Sequence, residues 1–316
     1  MVDLGIVIVN WNTRDLLRKC LQTVYASQGD FSFSVVLVDN ASPDGSADMV
    51  RAEFPQVTLI ALDKNVGYPA GNNVGLRQLG FRGPDEVDVG APRYALLLNP
   101  DTEVPPSALA DMVAYMDARP EVGVAGPKLV LVDGSLDKAC RRGFPTPMVS
   151  VYHFSGLAKL FPRSSRFGRY NMTFLPVDEE AEVDSVVGAY MQVRREAIRD
   201  AGLLDETFFM YGEDIDWAYR IKDAGWRVMY HPQVVVTHVK RAASRQNKRA
   251  QFEFWRAMLL FYRKHYRSVT PLWLHAAVLA GLALKGGRPL WTEIRHPTPF
   301  PATPLRRTSP RPENTV

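Results

Sequence analysis

The densest acidic cluster of the chain, Tyr211-Gly212-Glu213-Asp214-Ile215-Asp216-Trp217, holds carboxylates of the kind that take a proton from an attacking hydroxyl. At helical spacing Asp214 and Trp217 share one face, and Glu213 and Asp216 share another about 100° away. Acidic residues in a first helical turn also complement the helix dipole, which accounts for two of the three. The third, after the aromatic run Phe208-Phe209-Met210-Tyr211, points to a pocket wall with one carboxylate used as a base. Asp101, in Asn99-Pro100-Asp101, is placed either to bind a hard divalent cation bridging two phosphates or to cap a helix beginning near Pro105. Asp39 either accepts hydrogen bonds from a ribose or base or caps its own turn, Asp39-Asn40-Ala41-Ser42-Pro43-Asp44-Gly45. The stretch from Asn65 to Gly75 offers glycines at 67, 71 and 75 and the side-chain amides of Asn65, Asn72 and Asn73, so its backbone is able to meet a phosphate or a sugar closely. His238 is the candidate nitrogen ligand, and a structural histidine if no metal site lies near it.

These residues need elements to hold them. Leu4 to Val9 is an apolar, β-branched strand, followed by a helix that Asn12 is able to cap, with Leu16, Leu17, Cys20, Leu21 and Val24 on one face. Ser34 to Val38 is a second strand ending at Asp39, Ser46 to Phe54 has helical spacing, and Thr58 to Ala61 is a third strand. Gly71 to Leu79 reads as a helix and Tyr94 to Leu98 as a fourth strand ending at Asn99. The alternation predicts an α/β fold, a mostly parallel central sheet with helices on both faces. Asp39 and Asp101 then fall at the carboxyl edge, where open α/β sheets bind ligands. From Pro145 to Pro176 no period is visible, and a long irregular excursion is expected. Val183 to Val187 and Ala189 to Val193 read as strands, with a short helix from Arg195. Glu213 to Gly225 reads as a helix with Trp217, Ala218 and Ile221 inward, Val234 to Val236 as a last strand, and Phe252 to Tyr266 as an aromatic, basic helix. Pro and Arg dominate from Arg288 onward, which predicts a disordered tail.

Composition narrows the class. With 46% hydrophobic and 23% charged residues over 316 positions, collagen, coiled coil and disorder throughout are excluded. Cys20 and Cys140 are the only cysteines, with no CxxC, so a disulfide framework is not expected and the reducing cytoplasm is the default compartment. No secretory signal is read at the start of the chain. Charge is unevenly spread: residues 240–316 hold 15 Lys and Arg against 3 Asp and Glu, while residues 1–239 hold 23 against 31. An acidic body repels a phosphate backbone, so no nucleic acid is expected as partner, although the basic end keeps a nucleic-acid-binding protein as the non-enzymatic rival. Neither GxGxxG after the first strand nor GxxxxGK[ST] is present, which removes the main support for a dinucleotide dehydrogenase or a P-loop ATPase.

The ordered series Val7-Ile8-Val9-Asn10-Trp11-Asn12, Val38-Asp39-Asn40-Ala41-Ser42, Asn65-Val66-Gly67 with Gly71-Asn72-Asn73-Val74-Gly75, Leu98-Asn99-Pro100-Asp101, Gly188-Ala189 and Gly212-Glu213-Asp214-Ile215-Asp216 resembles a family-2 inverting glycosyltransferase of the rhamnosyltransferase-like branch. The resemblance covers residues 3 to about 266. It implies the GT-A fold, a nucleotide-diphospho-sugar donor, a glycan or lipid-linked acceptor, and Mg2+ or Mn2+. Donor-binding positions are then Asn10, Asp39, Asn65, Gly67, Asn72, Asn99 and Asp101, with Asp39 at the nucleoside. Asp101 corresponds to the last residue of the family's DxD element, whose first aspartate is replaced here by Asn99. His238 corresponds to a histidine that completes the metal site, Asp214 to the general base with Glu213 before it, and Gly188, Ala189 and Trp217 to the acceptor side. Inverting transfer needs one base and one electrophile and no covalent nucleophile. L-rhamnose from dTDP-rhamnose is the expected donor, with UDP-hexoses, UDP-galactofuranose and a sugar nucleotidyltransferase as alternatives.

The expected organisation is a catalytic domain over 1–240, a basic, aromatic helical region over 241–287 and a tail over 288–316. Phe252, Trp255, Met258, Leu259 and Tyr262 form an apolar stripe beside Arg256, Arg263, Lys264 and Arg267. That pattern suits either docking on the anionic inner face of the plasma membrane or packing on the catalytic domain. Leu272 to Leu284, 13 residues, is too short to span a bilayer.

Overall fold

A computed structural model describes residues 2–240 and 248–299. Strand β1 (Leu4–Asn10) is buried along its whole length, as a strand covered by helices on both faces must be. Helix α1 (Arg14–Tyr25) turns Leu17, Cys20, Leu21 and Val24 inward, and its end is followed by β2 (Phe33–Asp39), α2 (Ser46–Glu53) and β3 (Thr58–Ala61). Helix α3 (Tyr68–Gln78) lies so close to β1 that a Cβ on Gly71 or Gly75 would come 2.9 or 2.4 Å from the methyls of Val9 or Val7. These two glycines therefore serve helix-to-strand packing rather than a phosphate. A hairpin of β4 (Phe81–Gly83) and β5 (Glu86–Val87) leads to β6 (Tyr94–Leu98), β7 (Thr102–Glu103), α4 (Ala108–Asp117) and β8 (Val122–Val130).

The stretch expected to be irregular contains two helices, α5 (Pro147–Phe154) and α6 (Leu157–Leu160), the first opened by Pro147 and capped by the Thr146 hydroxyl. Its period was hidden because no residue of α5 is fully buried. Then follow β9 (Ala181–Glu182), β10 (Tyr190–Arg194), α7 (Arg195–Ala201), α8 (Glu213–Asp223), β11 (Arg227–His238), α9 (Lys248–His265) and α10 (Leu272–Arg295). Residues 183–187, read as a strand, instead form a connection that bridges to Arg142 at Ser185.

Among the described residues the main sheet has the order β3-β2-β1-β6-β10-β8-β11-β7, with β9 beside β11. Pairings β2–β3, β1–β2, β1–β6 and β8–β11 are parallel, and β10 runs against both β6 and β8. Six strands thus point one way, as the alternation predicts. The reversal of β10 brings its beginning, Gly188-Ala189, to the edge where β1, β2, β6 and β11 end.

The C-terminal helices are part of this body. Ala257, Leu260 and Phe261 of α9 pack on Phe208 and on Ile215 of α8, while Met258 and Leu259 pack on Leu282 and Leu290 of α10. Each fully buried aliphatic side chain contributes roughly 1.5–3 kcal/mol, so the stripe expected to dock on a membrane is already used by packing. Helix α10 bends at Gly287 (φ 66°) and continues to Arg295 because Leu290 is buried under α9, although the composition from Arg288 predicts a disordered tail. The rest of that tail, 300–316, lies outside the described residues. No helix among the described residues is long and apolar enough to cross a membrane.

Candidate active site

Two groups of side chains meet at the carboxyl edge. The first comes from a short antiparallel pairing in which Thr102 of β7 lies opposite His238 of β11, reinforced by the Val239 amide donating to the Asp101 carbonyl. His238 Nε2 consequently lies 3.3 Å from Asp101 Oδ1. On the other side of the ring, Nδ1 lies 2.9 Å from Asp137 Oδ2, and Lys240 donates to the same carboxylate. Burial alone favours a neutral ring, but the hydrogen bonds to Asp101 and Asp137 raise His238 to about 9. Asp137 is held below the ordinary carboxylate range in spite of its burial, by His238 and the Lys240 charge.

Once the Nε2 proton of His238 is displaced, one carboxylate oxygen and one imidazole nitrogen are a fitting but incomplete donor set for Mg2+ or Mn2+. No group of three His, Cys, Asp or Glu side chains suited to a metal occurs among the described residues, so a cation here would take its remaining ligands from diphosphate and water. Asp137 would then be the outer partner that fixes the ring and its tautomer. It is a residue that the spacing does not reveal, since it sits in the turn before a single 3-10 turn, Lys138–Cys140.

The second group surrounds Asp214, at the start of α8. Its Oδ1 accepts from the Ile215 amide at 2.8 Å, and its Oδ2 accepts from Arg142 Nη2 at 2.5 Å and from the Gly188 amide at 3.1 Å. A Cβ on Gly188 would stand 3.3 Å from the Tyr68 hydroxyl, so a small residue is needed for this approach. Arg142 lies just before the aperiodic stretch, and the doublet Arg141-Arg142 is its only trace in sequence. Glu213 is 5% exposed, and its Oε2 has no hydrogen-bond partner among the described residues. Burial, reinforced by the neighbouring Asp214 charge, pushes Glu213 up to about 8.

A hydrogen-bonded path joins the groups. The Gly188 carbonyl lies 2.9 Å from the Tyr68 hydroxyl, which lies 3.0 Å from Asn99 Oδ1, two residues before Asp101. Burial and the Glu213 charge keep the Tyr68 phenol protonated far above its usual range. Tyr68 was missed as a site residue because it opens α3, where an aromatic reads as packing. Its loop is fixed by Gly67, whose φ of 92° favours glycine, and a Cβ there would meet the Phe209 carbonyl at 2.6 Å.

The remaining expected residues divide. Asp39 stands at the end of β2 beside Asn10 at the end of β1. Asn10 is fully buried: its amide donates to Asp39 and Ser42, and its oxygen accepts from Thr13. It orients Asp39 and has no face toward a donor, a correction to its reading as a binding residue. Asn65 Oδ1 accepts from the Gly67 amide and Asn40 and holds the loop, while Asn72 is buried with its amide on the Tyr68 carbonyl. Ala189 is buried, and its carbonyl accepts from the Asn99 amide. Trp217 is corrected outright: it is fully buried in the core, with its indole N–H on the Gly202 carbonyl, so it has no access to an acceptor. Asp216 is likewise not available as a base. Although burial opposes its charge, Arg220, His265 and Lys264 hold it ionised far below the ordinary range.

The model of the glycosyltransferase-like family 2 matches residues 3–253. N-acetylglucosaminyl-diphospho-decaprenol L-rhamnosyltransferase of Mycobacterium tuberculosis is 30% identical over 207 residues, covering 66% of each chain, so the match spans a little under two thirds of that relative. Mannosyltransferase PcManGT of Pyrobaculum calidifontis, solved with GDP-Man and Mn2+, superposes with a TM-score of 0.55 at 18% identity, over 94% of this chain and 81% of the other. S. aureus TarS 1-349 with UDP gives 0.55 at 16% identity, over 93% and 72%. Sheet order, the polar carboxyl edge and the span of the family model agree, and the chain belongs to glycosyltransferase-like family 2, on the GT-A fold.

Proposed function

We propose that the chain transfers a sugar from a nucleotide-diphospho-sugar to an acceptor hydroxyl in a single inverting displacement. The observation that carries this reading is the path Asp214–Gly188–Tyr68–Asn99, which ties a buried carboxylate to the Asp101–His238 pair on one edge of the sheet. Asp101 and His238 would hold Mg2+ or Mn2+, which when bound neutralises charge on a departing diphosphate. We assign Asp39 to the nucleoside end of the donor, at the end of β2, where it is buried and its oxygens accept from the Asn10 side chain and the Ser42 amide. Asp214 takes the proton of the acceptor hydroxyl through Oδ1, which accepts one hydrogen bond, while Oδ2 is held by Arg142 and the Gly188 amide, and Gly188 lets Tyr68 approach. With Asp214 as base and no covalent step on the protein, one displacement inverts the anomeric centre.

The donor we favour is dTDP-L-rhamnose and the acceptor a lipid-linked diphospho-sugar or surface glycan, because the mycobacterial relative is named for rhamnosyl transfer to N-acetylglucosaminyl-diphospho-decaprenol. Residues 1–240 form the catalytic part, and we place the enzyme at the cytoplasmic face of an anionic membrane. The contact is assigned to exposed Leu272, Trp273 and Leu284 of α10, supported by the basic composition of residues 240–316, because the α9 stripe is covered. A panel of sugar nucleotides, each assayed for hydrolysis and transfer with and without Mn2+, tests the reading. Metal-dependent turnover of dTDP-rhamnose above UDP-hexoses and UDP-galactofuranose supports it, and turnover of none refutes it.

A further inference from the structure

Beside the cleft lies an apolar groove of about 160 Å3, open on one side, between α5, α9 and α10. Val151 and Phe154 of α5 form one wall, Trp255 and Met258 of α9 the floor, and Val278 and Leu282 of α10 the other wall. The Phe154 and Trp255 rings, 5.1 Å apart, close α5 onto α9. Polar groups are scarce in its lining: the Ser150 hydroxyl, the Tyr262 hydroxyl, which is engaged with His275, and one charge, Lys285. An extended peptide laid in this groove would leave backbone N–H and C=O groups without partners, a cost that a hydrocarbon does not meet.

The groove lies near the active site. Pro145 is part of its lining and follows by three residues Arg142, which binds Asp214, so chain geometry keeps the two α-carbons within roughly 11 Å. A sugar at Asp214 that carries a long apolar chain therefore has an apolar groove within the reach of that chain. Outside, Met148, Val151 and Phe154 of α5 and Trp273 and Leu284 of α10 are exposed, so the channel runs along the apolar face assigned to the membrane.

We propose that this groove holds the first isoprene units of a prenyl-diphosphate-linked acceptor and selects acceptors by chain length. The proposal rests on the lipid-linked acceptor of the functional reading above. Gly281 lines the groove on α10, and a Cβ there meets nothing within 4 Å, so Gly281→Phe fills the channel without strain.

The test uses full-length protein and a diazirine-bearing geranylgeranyl diphosphate as probe, with labelled peptides located by mass spectrometry. Labelling is expected in α5 and α10 and is expected to fall about tenfold or more in Gly281→Phe, a change that losing roughly two buried methylene groups already produces. An unchanged melting temperature shows that the variant folds, and Ala277→Phe, which fills the groove from one turn earlier, is the second plug. Absence of labelling, labelling elsewhere, or labelling indifferent to both plugs overturns the proposal. Competition by phosphatidylglycerol vesicles as effective as that by decaprenyl-linked N-acetylglucosamine diphosphate also overturns it, since the groove then takes bilayer acyl chains. Transfer to acceptors of two and ten isoprene units is measured separately. Groove labelling without transfer to either removes the acceptor reading alone, whereas transfer with no chain-length preference removes the groove proposal alone.

Discussion

At Asp214 the carboxylate is held in position: an arginine and a backbone amide fix one oxygen while the other is tied to its own helix start. Asp214→Asn is expected to lower turnover by about 10²-fold or more while leaving nucleotide-sugar binding nearly intact, as steady-state rates and calorimetry will show. Near-normal turnover would pass the role of base to Glu213, because Asp216 is locked in ion pairs. Asp101→Ala and His238→Ala should each weaken Mn2+-dependent binding of nucleoside diphosphate in calorimetric titration, and an unchanged His238 variant would make that histidine structural. Glu213 makes a prediction about pH. Its folded value of about 8 lies above its ordinary 4.5, so between those values the folded state binds more protons than the unfolded chain. The stability that Glu213 contributes is complete below about pH 4.5 and is lost as the pH rises to about 8. Glu213→Gln removes that dependence, and melting temperatures should show the variant gaining on the parent as pH rises.

Among the elements, α9 is the one whose role depends on its neighbours. Lys264 reaches Asp205 at 2.5 Å and Asp216 at 2.8 Å, and His265 reaches Asp216 at 2.7 Å, so the end of α9 neutralises a carboxylate buried in α8. Asp216→Asn leaves Lys264 and Arg220 short of a buried counter-charge and should cost about 3–5 kcal/mol in denaturant unfolding, the scale for breaking one partner of a buried ion pair. A loss below about 1 kcal/mol would show that solvent screens the cluster as it does a surface pair. The same contacts explain why α8 presents Asp214 to the cleft. Asp216 and Trp217 anchor its inner face, and Gly212, in a left-handed conformation, turns the chain into it.

For the whole molecule, charge is divided along the sequence between an acidic first part and a basic C-terminal region, and the exposed apolar residues of α10 belong to the basic region. Replacing Leu272, Trp273 and Leu284 together by Ser should reduce co-sedimentation with anionic vesicles more than with neutral ones, with the fold intact by circular dichroism. Equal partitioning before and after the change would refute membrane contact through α10. Truncation at Lys240 is not an informative comparison, because it strips the cover from Phe208 and Ile215 along with the helix under test.

The amino-acid sequence alone determined the strand and helix units of the first hundred residues other than the β4–β5 hairpin, the polar residues at strand ends and the acidic start of α8. These follow from the period of apolar residues and the order of elements along the chain, whereas the cap expected from Asn12 is not made: Thr13 precedes α1 with no side-chain hydrogen bond to it. Tertiary structure decided which of those polar residues meet. Asp101 reaches His238 through the two-residue pairing of β7 with β11, too short to leave a pattern, and Arg142 reaches Asp214 across 72 residues from the connection that precedes α5. It also decided which apparent site residues are spent inside: Trp217 on Gly202, Asn10 on Asp39, and the aromatic stripe of α9 on α8 and α10. Periodicity reports that a face is apolar, but an apolar face is satisfied equally by core, helix or lipid, and only the arrangement of the neighbouring elements distinguishes them.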